Sequence, residues 1–199
     1  MTTLDLKAAF FHLIDAHRWL AASGCAWNTV VPNASSETKK QTDKLLPNII
    51  VMIRDCLLLH ARSLINFYRS DGGKLDILLS DFRIPFDPAL SAALEQYKNP
   101  IEVHLLHLTD WRDFDYRSRN TTGRGATRGR PDWNRDAIPI VSLIFEALKY
   151  VSQQVGPWQR PFRDLHDAML TRYQDKTSLW PPNLCEKSDV DIYLAGLGL

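Results

Sequence analysis

Apolar residues recur three and four positions apart along almost the whole chain, and this spacing is what most constrains the fold. Leu6, Phe10, Leu13, Ile14, His17 and Leu20 form one such row; Phe162, Leu165, Met169 and Tyr173 form another. A helix of 3.6 residues per turn gathers positions spaced this way onto one face, whereas a strand would scatter them over both faces of a sheet. No βαβ alternation and no internal repeat interrupts the pattern. The expected fold is all-α, a single-domain helical bundle over residues 1–199 with about five to six helices.

Local signals divide the chain. Thr2 and Asp5 have capping-box spacing for a first helix of about 3–22. Residues 23–34, "SGCAWNTVVPNA", read as a connector with Trp27 tucked in. Ser35 or Ser36 can start a long second helix ending near Ser70, with a kink or break around 44–47 because Pro47 has no N–H to give. Its strong part is 48–69. The stretch "KLDILLSDFRIPFDP" is irregular, with room for one helical turn. Asp87 and Pro88 open a short helix to about Lys98, and Asn99, Pro100 and Glu102 open another over about 100–112. Two further helices are expected over about 137–154 and 158–174. Residues 175–199, with "WPP" and "GLGL", are expected to pack over the helices as an extended tail.

Several function classes find no support. Lys plus Arg number 24 against 23 Asp plus Glu, so net charge points to no particular partner. Cys25, Cys56 and Cys185 are scattered, without a CxxC, and suggest neither a disulfide framework nor a thiolate zinc site. The opening "MTTLDLKAAFFHLIDAHRW" lacks the basic-then-apolar pattern of a signal peptide. No apolar run approaches the ~20 residues of a membrane helix. A cytoplasmic location without a membrane partner is expected. GxGxxG, P-loop, HExxH and GxSxG motifs are absent.

Residues 54–68, "RDCLLLHARSLINFY", place costly polar groups in a leucine-rich helix. On a helical wheel Ile49, Ile53, Cys56, Leu57, His60, Leu64 and Phe67 share a stripe that reads as the core face, with His60 at its middle. Asp55, Arg62, Asn66 and Arg69 gather on another face. Arg54 lies about 120° around the axis and ~9 Å along it from His60, so the two cooperate only across a dimer seam or through a ligand. His17 also sits on an apolar stripe, and His104 and His107 share a helix face with Trp111. Each can be a core histidine bonded to a carbonyl or carboxylate, or several can line one polar pocket. Nothing marks the carboxylate and second-shell partner of a histidine-rich metal site, so neither metal nor cofactor is expected.

Two resemblances attach to these residues. Arg54-Asp55-Cys56-Leu57-Leu58-Leu59-His60 resembles the signature of the HEPN superfamily, all-helical bundles of which many are metal-independent ribonucleases or toxins. "LLLHARSLINFY", "LSDF" and "IEVHLLHLTDWR", with a following Trp and helix, resemble a widespread bacterial family of small helical proteins without an established activity, whose stretches read roughly hARNLidF and inKhlaHLTykR. That match covers His60, Arg62, Asn66, Phe67, His107, Thr109 and Arg112. Ser63 stands where the family has Asn, and Glu102 and Val103 replace its Asn-Lys pair.

The HEPN resemblance implies RNA cleavage by the substrate's own 2′-OH. His60 would move the proton, Arg54 or Arg62 would hold the phosphate, and Asp55 would orient one of them. His107, Thr109 and Arg112 would form a secondary site. Related active proteins commonly build the site across two protomers, so the resemblance implies a homodimer and an endoribonuclease of toxin or phage-defence type. The alternative is a non-catalytic protein-interaction or nucleotide-binding module, in which a buried His/Arg/Asp network fixes helix register.

Residues 113–136 form a long Arg- and Gly-rich loop, expected to be flexible. Arg117, Arg119, Arg124, Arg128 and Arg130 could follow an RNA backbone, and Tyr116 and Trp133 could stack on bases. Asp113, Asp115, Asp132 and Asp136 cancel part of that field, which equally suits a solvated surface loop.

Overall fold

A computed structural model describes residues 3–33, 46–72, 76–106, 133–174 and 184–199. Among the described residues the architecture is all-α, with six helices and no strand: α1 Thr3–Asn33, α2 Leu46–Arg69, α3 Pro88–Leu106, α4 Trp133–Ser152, α5 Gln159–Gln174 and α6 Lys187–Gly196. The expected start at Ser35 or Ser36 and residues 113–132 of the expected 113–136 loop lie outside the described residues, while residues 133–136, Trp133 among them, are not loop but the first turn of α4. No described helix is long and apolar enough to cross a membrane.

Helix α2 is the hub, packing against α1, α3 and α4, while α5 bridges α4 and α1. Phe10, Leu13, Ile14, His17 and Leu20 are buried along α1, as their spacing predicts. Phe162, Leu165 and Met169 do the same for α5. An aromatic cluster closes the core: Phe82 meets Trp158 edge-on at 4.8 Å, and Phe10 meets Phe162 edge-on at 5.4 Å. Edge-to-face pairs suit the ring quadrupoles and add about 0.5–1.5 kcal/mol each beyond burial.

Further boundaries differ from the sequence reading. Helix α1 runs through the expected connector to Asn33, because Leu20, Ala21, Gly24 and Trp27 continue the inward row. The two helices expected on either side of Asn99 are one helix, α3, with Pro100 inside it. Leu94 and Ile101, seven residues apart and fully buried, hold it across the one backbone hydrogen bond that proline forgoes. The tail is not wholly extended. Residues 187–196 are helical and buried at Val190 and Leu194, and Tyr193 O–H donates to Asp164 Oδ2 of α5 at 2.6 Å.

The segment after α2 contains the expected single turn, a 3-10 turn over Leu79–Phe82, with Leu79 and Phe82 buried. Asp81 Oδ2 accepts from Leu78 N at 2.8 Å and Ser70 Oγ from Ser80 N at 3.0 Å, tying the turn to itself and to the end of α2. Gly72 is required here: a Cβ would lie 2.8 Å from Asp76 Cβ and 2.9 Å from Leu78 Cδ2. Gly72→Ala is expected to cost about 1–3 kcal/mol in urea unfolding, the usual penalty of overpacking. An unchanged midpoint would show that the segment yields freely.

Candidate functional site

The core face of α2 is rotated from the one expected. Leu57, Leu58, Ala61, Leu64, Ile65, Phe67 and Tyr68 are buried, whereas Ile49 is 45% exposed and Ile53, Cys56 and His60 are only partly buried. His60 therefore stands at the edge of the core, not in its middle. Leu58, Ala61, Ile65 and Tyr68, outside the expected stripe, are fully buried in its place.

At that edge His60 stacks on Trp19 of α1, with centroids 6.3 Å apart and planes 11° from parallel. Trp19 is 50% exposed, so an aromatic face is presented to solvent. Burial lowers the His60 pKa from its ordinary value, while the Asp15 carboxylate pulls in the opposite direction. The net direction is downward, and the imidazole is neutral at pH 7. Asp15 is also bonded by Arg18 at 2.5 Å, and Arg18 reaches Cys185 O at 3.2 Å. The edge thus combines a neutral imidazole, an open indole, a carboxylate and a guanidinium.

Arg54 and His60 are not brought together. Arg54 donates to the neighbouring Asp55 through Nε and Nη2, both at 3.1 Å. Arg62 pairs with Glu102 of α3 at 3.4 Å. Arg69 pairs with Asp71 at 3.0 Å and with Glu95, and Lys98 meets Asp71 at 2.5 Å. These cations hold Asp71 below the usual carboxylate range, the Lys98 hydrogen bond first among them. The polar face of α2 is therefore largely an ion-pair seam with α3, with Asn66 set apart toward α1.

His17 has the satisfied-core role. Leu13 O can only accept, so His17 Nδ1 carries the proton and donates to it at 2.8 Å; Nε2 then accepts from Tyr68 O–H at 2.8 Å. Burial pushes the His17 pKa down to about 4 and raises that of Tyr68. The ring is fully buried and has no route to a substrate.

His107, Thr109, Arg112, Arg117, Arg119, Arg124, Arg128 and Arg130 lie outside the described residues, as does the His104 side chain. Among the described residues no His, Cys, Asp and Glu cluster of three could hold a metal ion. Trp19 was missed by sequence reasoning. Its position beside Leu20 on an amphipathic helix marks it as an exposed aromatic, but nothing in sequence pairs it with His60. No family model, curated protein or solved structure matches this chain.

Proposed function

We propose that this chain is an RNA-directed helical protein, HEPN-like in kind, that engages a single strand at the Trp19–His60 edge and cleaves it without metal. The observation that carries the reading is the neutral, half-buried imidazole stacked on a half-exposed indole. An open indole is a stacking platform for a base, and a neutral imidazole within reach of the ribose is a general base. His60 takes the 2′-OH proton and the 2′-oxygen attacks the adjacent phosphorus. The P–O5′ bond then breaks, leaving a 2′,3′-cyclic phosphate and a 5′-OH that takes its proton from water. Arg62, two residues on, lies about 160° around the axis from His60 and pairs with Glu102 of α3, so on its own chain it faces away from the site. Arg54 reaches the phosphate only from a second protomer, so the cleaving form is a homodimer. Arg117, Arg119, Arg124, Arg128 and Arg130 would follow the strand beyond the site. A role of the toxin or phage-defence type agrees with such an activity.

A second reading has its own observation. Ile49, Met52 and Leu59 are 45%, 70% and 50% exposed, and with Cys56 they recur at three- and four-residue steps along α2. Such a row is how a helix presents itself to another helix, and it favours a protein-interaction module. Salt separates the two, because counterion release makes RNA affinity fall steeply with ionic strength and an apolar contact does not behave so.

Titrating a single-stranded 12-mer RNA in EDTA, with tryptophan fluorescence as readout, tests the RNA reading. Trp19→Ala is expected to weaken binding by about 1–3 kcal/mol, the measured range for losing one base-stacking aromatic. Equal affinity of the folded variant would remove the site from this edge.

A further inference from the structure

A cavity of about 360 Å³ lies between α1, α2 and residues 76–78, one turn along α2 from His60. Small side chains line it where the two helices face each other: Ala9 and Ala16, two turns apart on α1, and Ser63 on α2. Leu13, Leu64 and Phe67 supply apolar wall. Sites for small molecules range from about 300 to 1,000 Å³ and combine such walls with a few polar groups.

The polar lining is rich in acceptors. Asp76 is exposed and carries the one fixed charge on it. A carboxylate accepts at about four lone-pair positions, so the bonds it makes within the protein leave room for a ligand. Ser63 Oγ gives its hydrogen to Leu59 O at 3.2 Å and keeps its lone pairs. Asn66 Oδ1 is buried and takes no part. Among the described residues no lysine or arginine lines the cavity. A matching ligand therefore brings donors and a positive charge at one end and an apolar body at the other. A primary ammonium has three N–H donors and no acceptor. Beside apolar walls its attraction to a carboxylate is stronger than in open water. An anion of the same shape would meet like charge, and a second ammonium would lie unpaired against apolar wall.

We propose that this cavity is a binding site for a small monoamine with an apolar alkyl or aryl body, its ammonium held by Asp76 and Ser63. The site does not depend on the RNA reading, because none of its residues belongs to the Trp19–His60 edge.

Calorimetric titrations of the full chain test the site at about pH 8, where an ordinary imidazole is neutral and a primary amine still cationic. The probes are phenethylamine, hydrocinnamate (the same phenethyl body ending in a carboxylate) and putrescine, which has an amine at each end. Ser63→Phe, at an exposed position, fills the cavity from its rim and leaves Asp76 in place. Asp76→Asn removes the charge in nearly the same volume. The expected result is saturable binding of phenethylamine. It should be weaker by about tenfold or more for hydrocinnamate, for putrescine and in Asp76→Asn, the weight of one charge-assisted hydrogen bond, and lost in Ser63→Phe. No saturable binding of phenethylamine, equal binding of hydrocinnamate, or unchanged affinity in either folded variant would overturn the proposal. Should Asp76→Asn fail to fold, Ser63→Phe and the comparison of probes still decide it.

Discussion

Acidification from about pH 7 to about pH 4.5 is expected to remove roughly 2–3 kcal/mol of folding stability through His17 alone. The folded-state pKa is about 4, against 6.5 for an unburied histidine. The unfolded chain therefore binds the proton first as pH falls. Stability rises with pH across this window: it is full above about 6.5 and drains away toward 4. The depressed pKa of His60 adds a contribution of the same sign. Urea unfolding at both pH values checks the effect, with His17→Leu/Tyr68→Phe as the comparison. Replacing both partners removes the buried donor and acceptor together, so the double variant should fold and lose most of the pH dependence. Tyr68→Phe alone leaves Nε2 without its donor and should cost about 1–3 kcal/mol at pH 7. Wild type and double variant with the same pH slope would show that His17 is not the source.

His17 also shows what is legible in a sequence like this. Its place on the α1 stripe and a carbonyl partner both follow from helical spacing, because Leu13 is one turn back on the same helix. Its tyrosine partner lies 51 residues away and depends on how α1 and α2 cross. The same limit explains His60. Wheel geometry assigns it to a face, but the rotation of α2 is set by which side chains α1, α3 and α4 offer. Helix boundaries failed where a local stop signal was outweighed by packing, as at Gly24 and Pro100. Helix α6 was missed because ten residues with two buried apolar positions carry almost no periodic signal; docking of Val190 and Leu194 makes it a helix. Arg54 and Asp55, joined in one motif by sequence, are joined in space to each other and not to His60.

Replacing His60 by alanine is expected to lower the rate of RNA cleavage by about 10²–10⁴-fold, the usual contribution of a positioned general acid–base. The residue is half-buried at the core edge, and the hydrophobic face of α2 does not depend on it. The variant should therefore keep its helical circular dichroism. The base must be unprotonated to act, and burial lowers the His60 pKa. The pH–rate profile should rise with pH and reach half its plateau below 6.5, the ordinary histidine value. Trp19→Ala should act chiefly through KM if, as proposed, the indole holds the strand and moves no proton.

The most direct test of the account is to incubate a single-stranded RNA with the purified protein in EDTA, beside folded His60→Ala, and to identify the product ends. Cleavage by wild type that leaves 2′,3′-cyclic phosphate and 5′-OH ends, and that His60→Ala abolishes, is the result expected. Intact RNA with wild type, or equal cleavage by His60→Ala, would contradict a catalytic role for the Trp19–His60 edge.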